Sequence, residues 1–270
     1  IYYRFSWSLT NDQGQAVVQG ERTFSLQPFA NDRALLNRAL ANLQAAAEQV
    51  QHALPLSASA LRQEAQALAT MAQPLNEKLT DTESFQQNSA LAGHIAQKAK
   101  RALRISNVVR EAEAFGPNTS LIPFTGATWE NRGVAEQLPV RLQQPLAMER
   151  TLVRGEFESM PIAIFNITDR PLQVQIKIDS VAAPIQVIPH RSVNTPTSLG
   201  EISWDALPEL DESAIIEIPS LSSRELWLEI ATGSAPAGEH RFQVRLLALN
   251  GSGVLEAPTH PHAIQAPQSR

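Results

Sequence analysis

Two glutamates, Glu156 and Glu158, stand two positions apart in a segment that has the pattern of a β-strand. This spacing places both carboxylates on one strand face, roughly 6 to 7 Å apart, near the separation that glycosidases use. Catalytic carboxylates face each other across the substrate, whereas neighbours on one strand point the same way. The pair therefore indicates an exposed strand face, and we predict no catalytic residue and no hydrolase activity for this chain.

Two further groups contain the residue types of a metal site. His260 and His262 flank one proline without a third ligand nearby, which is typical of a flexible segment. An acidic run offers loop oxygens for calcium but lacks the ligand order and the glycine of an EF-hand; its members are Asp205, Glu209, Asp211 and Glu212. We predict no metal site and no cofactor, and neither a phosphate loop nor a Gly-x-Ser-x-Gly elbow occurs.

Tryptophans are the remaining candidates for binding. Trp129 and Trp204 lie in segments flanked by proline or acidic residues. An exposed indole there can stack on a sugar ring, so both are candidate carbohydrate-binding residues. Trp227 lies between Leu226 and Leu228 in an alternating strand, where we expect it to pack in a core.

Composition excludes several classes of protein. Hydrophobic residues make up 43% and charged residues 18% of the 270, which is typical of globular domains. The net charge of −5 gives no field that would draw the chain to nucleic acid. The absence of cysteine excludes a disulfide scaffold, and no apolar run reaches the ~20 residues of a membrane span.

The first 30 residues predict a β-hairpin that completes a sheet. Tyr3, Phe5, Trp7 and Leu9 alternate with polar residues, a turn cluster follows at 11–14, and a returning strand reaches residue 26 with a bulge expected near Gly20. A lone hairpin is marginal in water. We therefore expect residues 1–26 to pair with other strands, from upstream residues, from the sandwich or from another chain.

Residues 31–117 predict an antiparallel bundle of three helices. Leucine and alanine recur at alternate spacings of four and three, as on the buried stripe of an amphipathic helix. Pro55 is predicted to end the first helix and Ser57 or Ser59 to cap the second. Thr80 and Glu83 have the capping-box spacing for the third. Four cations, Lys98, Lys100, Arg101 and Arg104, predict a solvated side of that helix.

The rest of the chain predicts an immunoglobulin-like antiparallel β-sandwich over residues 139–257. Candidate strands lie at 140–143, 148–153, 157–167, 172–178, 185–188, 215–218, 225–230 and 240–249, separated by turn signals. An irregular linker is predicted at 118–138 and a flexible tail at 258–270. The fold class is thus α+β with several domains.

Two motifs are more specific than this pattern. One begins RGEFES at Arg154 and continues to IAIFNITDRPL, and the other runs SSRELWLEI from Ser222 and ends PAGEHRF. Together they resemble the β-sandwich that precedes the barrel in a family of bacterial glycoside-hydrolase-like proteins of otherwise uncharacterised function. The resemblance covers about residues 120–256, and the barrel itself is absent from this sequence. The resemblance therefore implies no catalytic residue in this chain.

Two functions compete. The resemblance implies a non-catalytic accessory region of an exported, glycan-associated protein, periplasmic or extracellular, whose partner is a glycan or a neighbouring domain. The incomplete hairpin instead favours a structural or adhesive surface or filament protein that assembles through strands at residues 1–26. Because the chain opens at Ile1 on a strand pattern, we expect it to be an interior or processed part of a longer protein, which itself would be the glycoside hydrolase.

Overall fold

The computed structural model describes residues 2–25, 29–76, 82–117, 119–125, 138, 149–179, 184–196, 202–206, 208–249, 255–256 and 262–265. Within them the predicted α+β fold class is confirmed, since a strand hairpin, three helices and antiparallel sheets follow one another along the chain. The predicted strand at 140–143 and the capping residue Thr80 lie outside these residues.

The N-terminal hairpin consists of β1 (Tyr2–Thr10) and β2 (Ala16–Ser25). Asn11 closes its turn, because its Oδ1 accepts hydrogen bonds from the backbone amides of Gln13 at 3.1 Å and Gln15 at 2.9 Å. The bulge expected near Gly20 is wrong: Gly20 pairs regularly with Trp7, and the register shifts instead between Leu9 and Thr10.

The three helices are α1 (Ala30–Val50), α2 (Pro55–Met71) and α3 (Thr82–Ala112). Pro55 begins α2 and Leu54 is its N-cap, so neither Ser57 nor Ser59 has the predicted capping role. Proline suits the first helical position because its missing N–H would have no partner there and its φ is already helical. After α3, one 3-10 turn leads to Gly116, which ends the helical segment with a φ of 102°.

The helices form an up-down-up bundle. Phe29 stacks on Phe85 with ring centroids 5.7 Å apart, and Gln49 contacts Glu113 at 3.1 Å, so α1 and α3 run in the same direction. α2, which lies between them in sequence, runs in the opposite direction. Ten alanines of these helices are buried with the leucines, and such small side chains let helix axes approach closely.

Two sheets make the sandwich. The four-stranded sheet has the order β3 (Leu121–Thr125), β5 (Phe157–Asn166), β11 (Ser223–Ala231) and β7 (Gln186–Arg191). The second sheet has the order β10 (Ile215–Ile218), β6 (Leu172–Asp179), β12 (Glu239–Ala248), β14 (His262–Gln265) and β4 (Glu149–Thr151), with β13 (Leu255–Glu256) also on β12. A small hairpin of β8 (Val193–Pro196) and β9 (Ile202–Ala206) projects after β7.

Two segments differ from the sequence-based expectation. The predicted linker at 118–138 contains β3, which pairs with β5 along five residues, and the predicted flexible tail contains β14, which pairs with β12 and runs parallel to β4. Both strands are short and lack clear alternation. Their pairing depends on edges that distant parts of the chain supply, which no local pattern reveals.

The bundle and the sandwich share a core. One face of the four-stranded sheet packs on the second sheet, and the other packs on the helices through a group of apolar side chains, namely Ile122, Phe124, Ala163, Phe165, Ile167 and Leu221. Arg101 of α3 adds a hydrogen bond to the carbonyl of Leu221 at 2.5 Å. The chain therefore stacks three layers in this part: helices, sheet, sheet. None of the described helices has the length and apolar character needed to cross a membrane.

Candidate functional site

The two candidate glutamates have separate structural positions. Glu156 precedes β5, and its carboxylate accepts a hydrogen bond from the backbone amide of Val153 at 2.6 Å. Its own amide donates to the hydroxyl of Thr232 at 3.0 Å, which ties this turn to the β11–β12 connection. Glu158 is half-buried within β5. The expectation that both lie on one exposed strand face is therefore wrong, because the strand begins only after Glu156.

Asp211, one of the calcium candidates, organises the turn that leads into β10. Its carboxylate accepts hydrogen bonds from the amides of Ser213 at 3.0 Å and Ala214 at 3.2 Å, and from the Ser213 hydroxyl. The hydroxyl bond, more than any other contact, holds the pKa of Asp211 below its usual range. Asp211 thus caps a turn, and within the described ranges no three His, Asp or Glu residues converge to hold a metal ion.

Other candidates lie at the margin of what the structure describes. Trp129 and His260 fall outside the described residues, and for Trp204 and His262 only the strand backbone is described. A role in carbohydrate binding for the two tryptophans stays a prediction. The expectation that Trp227 packs in a core is wrong: it is half-buried on the outer face of β11, because its neighbours Leu226 and Leu228 take the core positions between the sheets.

The basic side of α3 is only partly solvated. Lys100 and Arg104 are exposed, as predicted. Arg101 is not: its side chain is 23% exposed, forms an ion pair with Glu64 of α2 at 3.4 Å and bonds the carbonyl of Leu221. Its guanidinium connects α3 to α2 and to the sheet. The exposed cations beside it on α3 do not indicate this role.

The FNITDRPL motif forms a buried polar corner rather than a binding site. Asn166 is fully buried, and its amide nitrogen donates to the carbonyls of Arg170 at 2.8 Å, Ile218 at 3.0 Å and Pro219 at 3.2 Å. Its oxygen accepts from the amide and the hydroxyl of Thr168, at 2.9 and 2.8 Å. Every polar atom of this side chain is therefore satisfied, and the motif joins the β5–β6 turn to the end of β10.

The hairpin presents an exposed apolar surface. Trp7, Leu9 and Val18 share one face, which we call the hairpin face, and their side chains are 44%, 61% and 44% exposed. The indole of Trp7 lies over Gly20: a Cβ atom there would come within 2.3 Å of the ring. A glycine opposite an aromatic ring in this way lets the ring shield the backbone.

No other described strand pairs with β1 or β2. The expectation that the sandwich supplies the missing strands is therefore not met within the described residues, and the hairpin keeps two open edges there. Open edges and exposed apolar residues are the features by which β-structures recruit further strands. The hairpin face and its edges are the candidate interaction surface of this chain.

Comparison with known proteins gives weak likenesses of fold. No protein-family model and no curated protein sequence matches the chain. A family 123 glycoside hydrolase from Clostridium perfringens aligns over 46% of this chain and 23% of its own, with a TM-score of 0.32 and 8% identity. The periplasmic chaperone SfaE aligns over 46% of this chain and 57% of its own, with a TM-score of 0.30 and 12% identity.

A third similar structure is the CsuC–CsuE chaperone–tip adhesion subunit pre-assembly complex of Acinetobacter baumannii. It aligns over 43% of this chain and 48% of its own, with a TM-score of 0.26 and 12% identity. The chain thus spans less than two thirds of each of these structures. The resemblance noted in the sequence is matched only as a weak likeness of fold, which assigns no function.

Proposed function

We propose that this chain is a non-catalytic structural module of an exported protein, and that it joins a protein assembly by strand pairing at residues 1–26. The observation that carries the proposal is the hairpin face, which is exposed in a two-stranded sheet without a further described strand. A two-stranded hairpin is marginal in water, whereas three or more strands with a covered apolar face are stable. An additional strand would enlarge the two-stranded sheet, and the chain that supplies it would cover the exposed hairpin face.

A second copy of the chain is the partner that this hairpin fits. Antiparallel pairing of β1 with itself about Trp7 would bring Ser6 opposite Ser8 of the other copy and Arg4 opposite Thr10. No like charges meet in this register, and the hairpin faces of both copies would merge on one side of a four-stranded sheet. The rest of the chain supports a structural role, because its three packed layers form a continuous body.

Light scattering on the intact chain tests this function. We expect a mass above that of one chain, a return to the single-chain mass when residues 1–26 are deleted, and unchanged helical circular dichroism. Val18→Ser should weaken association because Val18 is on the hairpin face. Val153→Ser is the matched control, since Val153 is equally apolar and 58% exposed but lies outside the hairpin. An unchanged mass and an unchanged melting temperature after the deletion would refute the proposal.

A glycan-associated accessory role is the second candidate. In its favour is the antiparallel sandwich over the residues where the resemblance leads us to expect one. Here the sandwich would support a neighbouring domain, and Trp129 and Trp204 would contact the sugar. Binding of the chain to immobilised glycans, lost in Trp129→Ala or Trp204→Ala but kept after deletion of residues 1–26, would favour this candidate over strand assembly.

A further inference from the structure

A cleft of about 240 Å³ opens at one corner of the sandwich, and no hairpin residue lines it. It lies where β7 leaves the four-stranded sheet and faces β10 of the second sheet. Its lining consists of residues 191–193, 215–217, 224 and 225. Two arginines and two glutamates are among them, so the sign of its charge depends on which side chains point inward.

Strand register decides that question. Arg224 pairs with Ile164 and Arg191 pairs with Leu226, and directly paired residues of an antiparallel sheet share a face. Ile164 and Leu226 belong to the core between the two sheets. Both arginines therefore lie on the inner face of their sheet, at the end of the apolar core.

The two glutamates lie on outer faces by the same reasoning. Glu225 pairs with Ala163, which packs on the helices, and Glu217 pairs with the exposed Gln173 of β6. They contribute backbone to the cleft while their carboxylates point away from the space between the sheets. The interior of the cleft is therefore cationic, with the apolar Ile216 of β10 as its inner wall.

Neither arginine is neutralised by a buried carboxylate in the described contacts. Arg224 is half-buried and donates to the neighbouring carbonyl of Ser223 at 3.1 Å. Arg191 is exposed, and its charge contributes to the lowered pKa of Asp211. That carboxylate already accepts three hydrogen bonds from its own turn. Guanidinium groups favour carboxylates as partners because they donate two parallel hydrogen bonds.

The edge of β10 adds a second recognition element. β10 pairs with β6 on one side, and its other edge has no partner among the described strands. An open edge accepts an extended peptide through backbone hydrogen bonds. The cleft is smaller than the ~300 Å³ at which ordinary small-molecule pockets begin, so it suits the end of a chain better than a folded or cyclic ligand.

We infer that this corner binds the C-terminal carboxylate of an extended peptide, held between Arg191 and Arg224, with the peptide backbone along β10 and an apolar side chain against Ile216. The inference is independent of the proposed assembly through the hairpin. It assigns both arginines to ligand binding, including Arg191 on the edge strand β7, where a charged side chain would otherwise serve to discourage pairing with other sheets.

The test uses the whole chain and an N-terminally fluorescein-labelled peptide, Ser-Val-Thr-Val-Ser-Val, with either a free carboxylate or a carboxamide at its end. Fluorescence anisotropy should show binding of the free acid that the amide loses by ~10-fold or more, since a charged hydrogen-bond partner is removed. Arg191→Gln and Arg224→Gln should each weaken binding of the free acid to a similar extent. Lys100→Gln removes the same charge from an exposed helix position and should leave binding unchanged.

Three results would overturn the inference: equal binding of acid and amide, unchanged binding in the Arg191→Gln, Arg224→Gln double variant, or no binding of the free acid at millimolar peptide. Competition by acetate as effective as that of the peptide acid would show a simple anion site and would reject the peptide. Circular dichroism melts check folding of each variant. If Arg224→Gln unfolds, the binding measured for the Arg191→Gln variant decides the outcome alone, because Arg191 is exposed.

Discussion

Replacing Asn166 tests whether the buried corner holds the sandwich together. In Asn166→Asp the amide donor is lost, so the carbonyls of Arg170, Ile218 and Pro219 face a carboxylate instead of an N–H group. A buried polar group without a partner costs about 1 to 3 kcal/mol; the carbonyls of Arg170 and Pro219 keep donors in Thr168 and Ser222, so the cost falls on the Ile218 carbonyl and on the buried carboxylate itself. Because part of this cost is relieved by local movement, we expect a total loss of about 3 to 5 kcal/mol in the free energy of unfolding at pH 8.

The pH dependence separates this mechanism from a simple packing defect. Burial without cationic partners raises the pKa of the new carboxyl above its unfolded value. The folded variant then binds more protons than the unfolded chain in the range between the two pKa values, so its stability relative to the parent recovers as pH falls through the folded pKa. The recovery is complete only below the unfolded pKa of about 3.9. Asn166→Ala lacks the charge and should show no such recovery.

Urea denaturation followed by tryptophan fluorescence measures the difference, with the slope against urea checked for constancy. Asn107→Asp is the control, since it makes the same chemical change at an exposed position of α3 and should cost within about 0.5 kcal/mol. A loss in Asn166→Asp below about 1 kcal/mol at pH 8, or a loss that does not vary with pH, would refute the reasoning.

Four further predictions address other parts of the chain. Leu43→Ala, at a fully buried position of α1, should lower the free energy of unfolding by about 2 to 5 kcal/mol, and a loss below about 0.5 kcal/mol in chemical denaturation would show that the predicted stripe does not form the core. Gly20→Ala should displace the Trp7 indole and shift its fluorescence emission, whereas an unchanged spectrum would mean that the ring does not lie over Gly20 in solution. Asp211→Asn should lower the melting temperature at pH 7, and because the lowered pKa of Asp211 stabilises the fold above pH 3.8, the difference from the parent should shrink as pH falls below that value. Chromogenic glycosides should not be hydrolysed, and turnover that disappears in Glu156→Gln would contradict our assignment of that carboxylate to a turn.

Local patterns determined the type and approximate position of most elements. The leucine and alanine stripes predicted all three helices, because a helix buries every third or fourth residue wherever it packs. Alternation and turn residues predicted β5, β6, β10, β11 and β12 within one or two residues of their ends. On the apolar stripes of the helices, Leu43, Leu61, Leu68, Ile95 and Val109 are buried together and Leu40 packs on them.

The contact between bundle and sandwich was missed, although the sequence contained a signal for it. Residues 162–165 form a continuous apolar run, and β5 is buried on both faces along most of its length. A strand covered on one side alternates, whereas a strand between two layers does not. From periodicity alone the run predicts an ordinary sandwich strand beside a separate bundle, whereas in the structure β5 packs on the helices as well.

The candidate sites depended on tertiary structure. The contacts of Asn166 and Arg101 join residues that are 37 to 120 positions apart. The cleft at Arg191 and Arg224 is lined by residues of both sheets. Spacing along the chain gives no information about such contacts. Sequence periodicity specifies which side of an element is apolar, because residues three or four positions apart share one face of a helix and residues two positions apart share one face of a strand. Which other element covers that side, and which polar groups meet at its rim, is decided by chain topology and by the packing of the assembled layers.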